Sequence, residues 1–343
     1  MHKYSLLLIL TLFLNGCVFN RNFSQKQLEY LDNFRPNAEL TTEPEDHLQH
    51  IKVSYFGTST LLLDDGATQI LIDGFFSRPG LLRLITLGFD PNSAASRKRL
   101  LDAVETYSLS NLSAVVTAHS HHDHAMDAPL IASITGADLI GDVSTCRLAY
   151  GLNDTQKRCY ELFNQRTETG LLPPYGNFTI SLIKAAHTEL PPSIRKLVGL
   201  NQSVSEDVDY PARLWDYAEG ESYSILIEHP VGSIIVQAST SLAADELQQI
   251  DADWLFMSVA RLTSLEDKRQ IFESLVKGTN AKNIVPIHWD DFTRQVDNKL
   301  YPQKYFMGKS FAEIKLFMQL NHELDSGANA YVMDHGDYIF LRY

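Results

Sequence analysis

The chain lacks the features on which several classes of protein depend. Only three of its 343 residues are cysteine, and no apolar run reaches the ~20 residues that a membrane-spanning helix needs. Acidic side chains outnumber basic ones, 42 to 29, which gives a formal net charge of −13. Because a protein that neutralises nucleic-acid phosphates needs a basic face, we expect no nucleic-acid partner. Neither a G-x-S-x-G motif nor a P-loop occurs, so no serine nucleophile elbow and no phosphate-cradling loop is predicted.

The N-terminus carries a segment that is typical of a targeting signal. An apolar run, Leu6–Leu14, follows a short polar start and stops at Asn15-Gly16-Cys17. This pattern resembles a bacterial lipoprotein signal, in which the chain is cut before the cysteine and the thiol is acylated. The resemblance implies a signal peptide at residues 1–16 and a membrane anchor on Cys17, and Val18 then favours the outer membrane, facing the periplasm. An ordinary signal peptide with an incidental cysteine is the alternative interpretation.

Composition divides the rest of the chain into two parts. Residues 17–48 are rich in Asn, Gln, Glu and Thr without a sustained period, which predicts a tether between the membrane and the folded part. Residues 49–343 form one predicted domain. Within it Cys146 and Cys159 either form a disulfide or remain two buried thiols, and the sequence leaves both alternatives open.

Short β-type runs and helical patterns share the predicted domain. Strands are expected at Ile51–Tyr55, Ser59–Leu63, Gln69–Asp73, Ala114–Ala118, Tyr223–Glu228, Ser233–Gln237, Trp254–Met257 and Asn283–Ile287. Helices are expected at Ser93–Tyr107, Leu242–Ile250, Ser264–Val276 and Phe311–Leu320, and a closing hairpin at Ala330–Met333 and Tyr338–Tyr343. Two β-rich halves that both carry helices predict an α/β fold, an αββα sandwich of two mixed β-sheets flanked by helices.

The strongest chemical signal is a histidine cluster directly after the predicted buried strand Ala114–Ala118. His119-Ser120-His121-His122-Asp123-His124 holds four imidazoles and one carboxylate. Neutral imidazole nitrogens and carboxylate oxygens are good zinc ligands, and a catalytic zinc takes three protein ligands and keeps one position open. Since side chains alternate in an extended turn, His119 and His121 are expected on one side, with Asp123 and His124 facing a neighbouring point.

This H-x-H-x-D-H signature resembles the metallo-β-lactamase superfamily, as do Gly57-Thr58-Ser59 and Ile70-Leu71-Ile72-Asp73-Gly74 upstream. The resemblance implies a metallo-β-lactamase-like fold with one or two metal ions. Position by position, it implies a first metal site of His119, His121 and His187, and a second of Asp123, His124 and His288, the last in Pro286-Ile287-His288-Trp289. His122 falls at the variable position, and Asp73 is expected to orient a ligand.

One position of the superfamily's pattern is missing. After the strand Ser233–Gln237 the family carries Gly-Asp, whose carboxylate bridges the two metals, whereas this chain has Ala238-Ser239-Thr240. With Asp123 and one hydroxide against two divalent ions, the centre keeps surplus positive charge. The second ion is therefore expected to bind less tightly, unless an anionic substrate or another carboxylate compensates. Asp290 and Asp291, beside His288, are candidate substitutes.

These ligands predict a metallo-hydrolase in which metal-activated water attacks an ester-type bond, with Asp123 orienting that water. Phosphodiesters and phospholipid-like molecules are the favoured substrates, so the expected partners are a small molecule or a lipid and, through Cys17, the membrane. Zinc is the expected metal, with manganese and iron as alternatives. A lactonase of the same fold and a non-catalytic lipoprotein that binds metal or a ligand are the alternative functions. Superfamily membership alone does not transfer β-lactam hydrolysis.

Two segments are candidates for substrate contacts. Phe75–Ile85 is unusually apolar and carries Arg78 and Arg83, so it either lines an acyl-chain groove or is a buried hydrophobic segment. Pro191–Gly220 follows His187 and mixes basic, aromatic and acidic residues, so it is either a lid over the active site or a plain surface insertion.

Overall fold

The structure is a computed structural model that describes residues 21–44, 49–152, 159–161, 172, 174–304 and 307–342. The predicted signal peptide and its acylated Cys17 lie outside these ranges and stay predictions. Within the ranges, no helix is both long enough and apolar enough to cross a bilayer.

The described part of the chain contains two mixed β-sheets. Their strands are β1 (His50–Gly57), β2 (Thr60–Asp64), β3 (Gln69–Ile72), β4 (Leu112–Val116), β5 (Asp138–Gly141), β6 (Cys159–Glu161), β7 (Thr179–Ala185), β8 (Ser222–His229), β9 (Gly232–Gln237), β10 (Trp254–Ser258), β11 (Asn283–Ile287), β12 (Asn329–Ala330) and β13 (Tyr338–Arg342). The first sheet has seven strands in the order β13-β1-β2-β3-β4-β5-β6, and the second has six in the order β12-β11-β10-β9-β8-β7.

Each sheet has an antiparallel part and a parallel part. In the first sheet β13, β1, β2 and β3 are antiparallel neighbours, whereas β3 to β6 run parallel. In the second sheet β7, β8 and β9 are antiparallel neighbours, whereas β9 to β12 run parallel. Because parallel strands end at the same edge of a sheet, the residues after β3 and β4 lie side by side, as do those after β9, β10 and β11.

The sheets pack face to face through apolar side chains that alternate along the strands. Ile51, Val53 and Tyr55 of β1 are fully buried, and they belong to the same core cluster as Ile225 and Ile227 of β8. This alternation places every second residue on one face of each sheet, which is then removed from water. The predicted αββα arrangement is therefore confirmed.

Helices cover the outer faces of the two sheets. They are α1 (Gln25–Asp32), α2 (Ala38–Thr41), α3 (Leu81–Thr86), α4 (Ala94–Thr106), α5 (His122–Ala125), α6 (Ala128–Thr135), α7 (Val143–Tyr150), α8 (Pro192–Leu197), α9 (Lys268–Phe272) and α10 (Ser310–Glu323). Leu100 of α4 and Ile131 of α6 pack with Leu71 of the first sheet, and Phe272 of α9 and Phe317 of α10 pack against the second. The predicted helix Leu242–Ile250 is only a short 3₁₀ segment, Asp245–Gln249.

The predicted closing hairpin is wrong. β12 pairs with β11 in the second sheet, whereas β13 pairs with β1 in the first. The turn between them is held to β1, since the Gly336 N–H donates to the Tyr55 carbonyl over 2.8 Å. A local turn signal cannot distinguish a hairpin from this crossing, because the pairing depends on which sheet edges the rest of the chain leaves free.

Part of the predicted tether is folded against the domain. The Ser24 side chain caps α1 by accepting the Gln27 N–H, and Leu31 at the other end of α1 is buried in the core. The ring of Tyr30 lies 5.4 Å from that of Phe311 on α10. Over residues 21–44 the chain therefore lies along the domain instead of extending away from it. This packing uses one buried leucine and neighbouring aromatic rings. So few apolar residues give no sustained hydrophobic period, and the sequence therefore did not predict it.

The two cysteines of the domain form a disulfide. Cys146 on α7 is bonded to Cys159 on β6, with their Cα atoms 5.6 Å apart. The first of the two alternatives left open by the sequence is therefore the one observed, and the bond fastens α7 to the edge strand of the first sheet.

Candidate metal centre

The ends of strands deliver the predicted ligands to one place. His119 and His121 follow β4, and the short helix α5 then carries Asp123 and His124. His187 follows β7, and His288 comes directly after β11 with a left-handed backbone, φ +60°. These residues form two groups of three, His119–His121–His187 and Asp123–His124–His288, and within each group the ligand atoms lie within 4.8 Å of one another. We call them the first triad and the second triad.

The first triad is held through the outer nitrogens of its rings. Nδ1 of His121 lies 3.1 Å from Nε2 of His119 and 3.1 Å from Nε2 of His187. On the far side of the ring, Nε2 of His121 donates to the Val198 carbonyl over 3.0 Å. Nδ1 of His187 donates to the Thr188 carbonyl over 2.8 Å. Both supports are backbone carbonyls of the segment that begins at His187.

The second triad rests on buried side chains. Nε2 of His288 lies 3.3 Å from Nε2 of His124 and 3.3 Å from Oδ2 of Asp123. Nδ1 of His124 donates to Oδ2 of Asp73 over 2.8 Å, and the Ser59 hydroxyl donates to the same carboxylate oxygen. Asp73, which also accepts the Ala118 N–H, therefore has the orienting role that was expected of it.

Both triads are suitable for a cation because their hydrogen bonds fix which ring nitrogens carry a proton and which carry a lone pair. Because His121 Nε2 and His187 Nδ1 donate to carbonyls, the other nitrogens of the neutral rings, His121 Nδ1 and His187 Nε2, carry lone pairs. These lone pairs face each other at 3.1 Å with no hydrogen between them. His124 likewise donates through Nδ1, so in its neutral form Nε2 presents a lone pair beside the Asp123 carboxylate. Converging lone pairs without a proton fit a metal ion, as the histidine and carboxylate donors do.

The protonation states of the other ligands favour the same conclusion, whereas in His124 burial is outweighed by the carboxylates of Asp73 and Asp123, which raise the pKa. Burial lowers the pKa of His187 to about 4 and holds the pKa values of His119 and His121 well below their usual range. These imidazoles are therefore neutral at physiological pH, as metal binding requires. Burial acts to raise the pKa of Asp123, but His124 and His122 beside it outweigh burial and hold that pKa well below its usual range. The triads adjoin, because the rings of His119 and His124 are 3.9 Å apart.

The missing carboxylate is not replaced by the two aspartates that follow His288. Asp290 is buried in an ion pair with Arg78, with 2.6 Å between Oδ2 and Nη1, and also accepts the Thr58 N–H. Asp291 pairs with Lys304 over 3.2 Å. Both carboxylates are thus neutralised by buried cations, and the hypothesis that they substitute for a bridging ligand is not supported. Ser239 lies in the cavity wall at the place where the sequence predicts the gap.

A cavity of about 280 Å³ lies in front of both triads. Apart from the ligands its wall is mostly apolar, and its apolar members are Leu81, Ile85, Leu190, Ile194, Leu197, Val198, Leu214, Phe292 and Met307. Both candidate substrate segments contribute, Phe75–Ile85 through α3 and Pro191–Gly220 through α8 and Leu214. Arg78 does not line this cavity, because its guanidinium is held in the buried ion pair with Asp290.

Several residues of the site could not be identified from the sequence. Phe292, Met307 and Gln303 enter the cavity from the segment after β11, and Arg261 from the segment after β10. His122, which was left unassigned, also lines the cavity and packs edge-on against Phe75 and Phe292. None of these positions carries a motif. The position of Arg261 after a predicted buried strand, parallel to the strand that delivers His288, is the one signal that could have marked it.

Solved structures with the same fold are similar to this chain over most of its length. The metallo-β-lactamase fold protein YhfI from Bacillus subtilis aligns with a TM-score of 0.50 at 14% sequence identity, over 85% of this chain and 99% of that one. CmlA, a diiron β-hydroxylase from Streptomyces venezuelae, aligns with a TM-score of 0.50 at 12% identity, over 88% of this chain and 55% of that one.

A third match is Igni18, a metallo hydrolase from Ignicoccus hospitalis, with a TM-score of 0.49 at 16% identity over 86% of this chain and 99% of that one. No protein-family model and no curated protein matches the sequence. The chain has the metallo-β-lactamase fold, as the H-x-H-x-D-H resemblance implied.

Proposed function

We propose that the protein is a metal-dependent hydrolase of an ester-type bond, and that its substrate is a phosphodiester or a phospholipid-like molecule. The observation that carries the proposal is the pair of adjoining triads, whose lone pairs converge in front of a single apolar cavity. A cavity of this kind accepts a substrate with an apolar body and presents its polar bond to the ligand side.

The chain supplies a place for one or two ions. His119, His121 and His187 would hold the first, and Asp123, His124 and His288 the second, with zinc as the favoured metal and manganese or iron as alternatives. Held by these residues, a divalent ion would supply Lewis-acid chemistry: it would polarise the oxygen under attack and lower the pKa of water towards about 7. No serine or cysteine nucleophile is then required.

Asp123 is the side chain that we assign to the attacking water. Its carboxylate stays ionised because the surrounding imidazoles hold its pKa low, so it can accept a hydrogen bond and fix the orientation of that water. Leu197 and Val198 of the segment Pro191–Gly220 line the same space together with Phe292, and their apolar side chains disfavour bulk water there.

The outer surface of the cavity elements supports a lipid-like substrate. α3 turns Leu81 and Ile85 into the cavity, while Leu82 remains 49% exposed and Leu87, just after the helix, 66% exposed. Trp215, next to the cavity residue Leu214, is 39% exposed. The two segments are joined, because Phe89 and Ala212 form an antiparallel β-bridge. Contiguous exposed apolar surface is typical of sites that contact lipid or another apolar partner, and we assign these three side chains, on two joined segments, to such a contact.

Hydrolysis of bis(p-nitrophenyl) phosphate by the zinc-loaded protein tests the proposal. We expect turnover that stops on chelation and falls more than about 100-fold in His119→Ala and in His124→Ala, since each change removes a ligand that metal chemistry requires. His322→Ala is the matched control, because His322 is an exposed histidine of α10 remote from the triads. A metal-loaded protein that cleaves lactones and no phosphodiester would instead be a lactonase. One that is inert towards esters, phosphodiesters and lactones alike would be a binding protein.

We also propose that Cys17 is acylated and anchors the protein to the outer membrane, facing the periplasm. The support is the apolar run that ends at Asn15-Gly16-Cys17. In cells, the protein should fractionate with membranes and incorporate labelled palmitate, and Cys17→Ser should abolish the label. Unchanged labelling in that variant would refute the anchor without affecting the proposed chemistry.

A further inference from the structure

Three neighbouring strands of the second sheet end at the cavity, and the middle one supplies a cation. Met257 of β10 pairs with Gln237 of β9, and Ser258 of β10 pairs with Ile287 of β11. β9 therefore leads to Ser239, β11 leads to His288, and β10 between them leads to Arg261, which lines the cavity. In open sheets with parallel strands, ligands bind outside these carboxyl ends.

The Arg261 side chain is charged and incompletely paired. Within the described residues its buried Nε has no hydrogen-bond partner, and no carboxylate lies within the 4.0 Å of an ion pair. Its backbone is left-handed, φ +61°, a conformation that costs about 1–2 kcal/mol for a residue with a side chain. A buried nitrogen without a hydrogen-bond partner is costly, and strained backbone of this kind concentrates at ligand-binding sites.

The acids around Arg261 do not neutralise it. Glu313 of α10 is the carboxylate whose charge interacts with Arg261, but burial raises the pKa of Glu313 to about 7, which leaves it partly protonated at neutral pH. Among the described residues that line the cavity, Asp123 is the one carboxylate, and it belongs to the second triad. The cavity therefore combines an apolar wall, an arginine whose buried Nε has no hydrogen-bond partner among the described residues, and a ligand set for cations.

We propose that Arg261 binds the anionic group of the substrate, and that the substrate is an anionic amphiphile whose apolar chain lies along the cavity wall. The proposal rests on the proposed function, because it concerns the same cavity. Arg261 and Ser239 follow the neighbouring strands β10 and β9 and line the same cavity, so a negative group held by the guanidinium would also reduce the surplus positive charge of the centre. A planar guanidinium is suited to phosphate or carboxylate, to which it donates two parallel hydrogen bonds.

Binding of decyl phosphate and of decanol, measured by calorimetry on the zinc-loaded protein, tests the proposal without hydrolysis. In Arg261→Gln we expect the Kd for decyl phosphate to rise tenfold or more, while the Kd for decanol changes less than twofold. Arg261→Lys, which keeps the charge but loses the fork, should fall between these limits. Arg83→Gln is the matched control, because it removes one positive charge from an exposed position on α3, a helix that lines the same cavity.

Several outcomes would overturn the proposal. An unchanged Kd for decyl phosphate in Arg261→Gln would do so directly. Equal losses for both ligands, or loss of metal from the variant by elemental analysis, would show a merely structural role. If Arg261→Gln fails to fold, the intermediate variant Arg261→Lys decides, since an unchanged phosphate-to-decanol preference there is also contrary to the proposal. Arg261-dependent binding in a protein that hydrolyses nothing would leave this inference standing and refute the proposed function.

Discussion

The two triads use similar ligand atoms but are supported by different parts of the molecule. In the first, His121 and His187 donate to the backbone carbonyls of Val198 and Thr188. In the second, His124 donates to Asp73, a fully buried side chain that follows β3, and the His288 N–H donates to the Thr58 carbonyl after β1. The first triad is therefore coupled to the segment that covers the cavity, whereas the second is coupled to the core of the first sheet.

A substitution in the segment that carries Val198 should therefore affect the first triad, and a substitution in the core of the first sheet should affect the second triad. Loops are more mobile than the elements that they connect, so the carbonyls that support the first triad are expected to be held less rigidly. The second triad is fixed by buried hydrogen bonds that are costly to break. Changes in the two supports should therefore affect the two metal sites separately.

The largest effect is expected at the buried ion pair beneath the second triad. Asp290→Ala leaves Arg78, 2% exposed, without its partner, and such a loss costs about 3–5 kcal/mol of unfolding free energy. The second triad should loosen as well, because Thr58 donates to Asp290 and its carbonyl accepts from His288. Urea unfolding measures the loss. Asp102→Ala, in the exposed Lys98–Asp102 pair, is the control and should cost less than about 1 kcal/mol.

A substitution beside Val198, in the segment Pro191–Gly220, should affect the first triad. Gly199 follows Val198 with φ +67°, and a Cβ there would lie 2.9 Å from the Cβ of Ala218. Gly199→Ala should cost about 2–4 kcal/mol and weaken metal binding at the first triad, because the strain displaces the carbonyl that accepts from His121. Gly136→Ala is the matched control, with φ +78° and nothing within 4 Å of the added Cβ. Equal metal affinity in both variants would show that the segment around Val198 does not support metal binding at the first triad.

Asp73 tests the second triad without removing a ligand. Asp73→Asn keeps the shape but loses the negative charge that holds His124, so the affinity for the second ion should fall about 10–100-fold while the first is unchanged. Competition with a chromogenic chelator measures both affinities. Ser59→Ala, which removes a hydrogen bond to the same carboxylate, should have a smaller effect in the same direction. A loss confined to the first ion would contradict the assignment of the supports.

The resemblance to the metallo-β-lactamase superfamily implied the triads, because most of their ligands lie in short motifs at the ends of strands. Two strands could also be predicted, because their apolar residues follow a recognisable pattern. These are the alternation at Ile51–Tyr55 and the continuous apolar run before His119. The partners of Arg78 and the helices of residues 21–44 were not predictable, because they depend on contacts between residues far apart in the chain. Arg78 and Asp290, for example, are separated by 212 positions, and neither has a motif.

Another effect concerns stability away from both triads. Burial raises the pKa of Glu313 to about 7 from an ordinary 4.5, so the folded state binds this proton more tightly than the unfolded state does. The free energy of unfolding should therefore fall as pH rises from 4.5 to about 7, by about 3 kcal/mol from this group. Glu313→Gln should remove that fall without changing metal content. An identical pH profile in wild type and variant would show that Glu313 titrates normally.

Metal stoichiometry, measured by elemental analysis during stepwise chelation of wild type and Ser239→Asp, tests the two-triad account most directly. We predict that the first triad retains its ion longest and that the second ion leaves first, because no carboxylate bridges the triads at Ser239. The added carboxylate should make the second ion harder to remove, and Ala238→Asp controls for a shift of register by one residue. A wild-type protein that binds no metal, or one that holds two ions tightly and is unaffected by either substitution, would contradict the account.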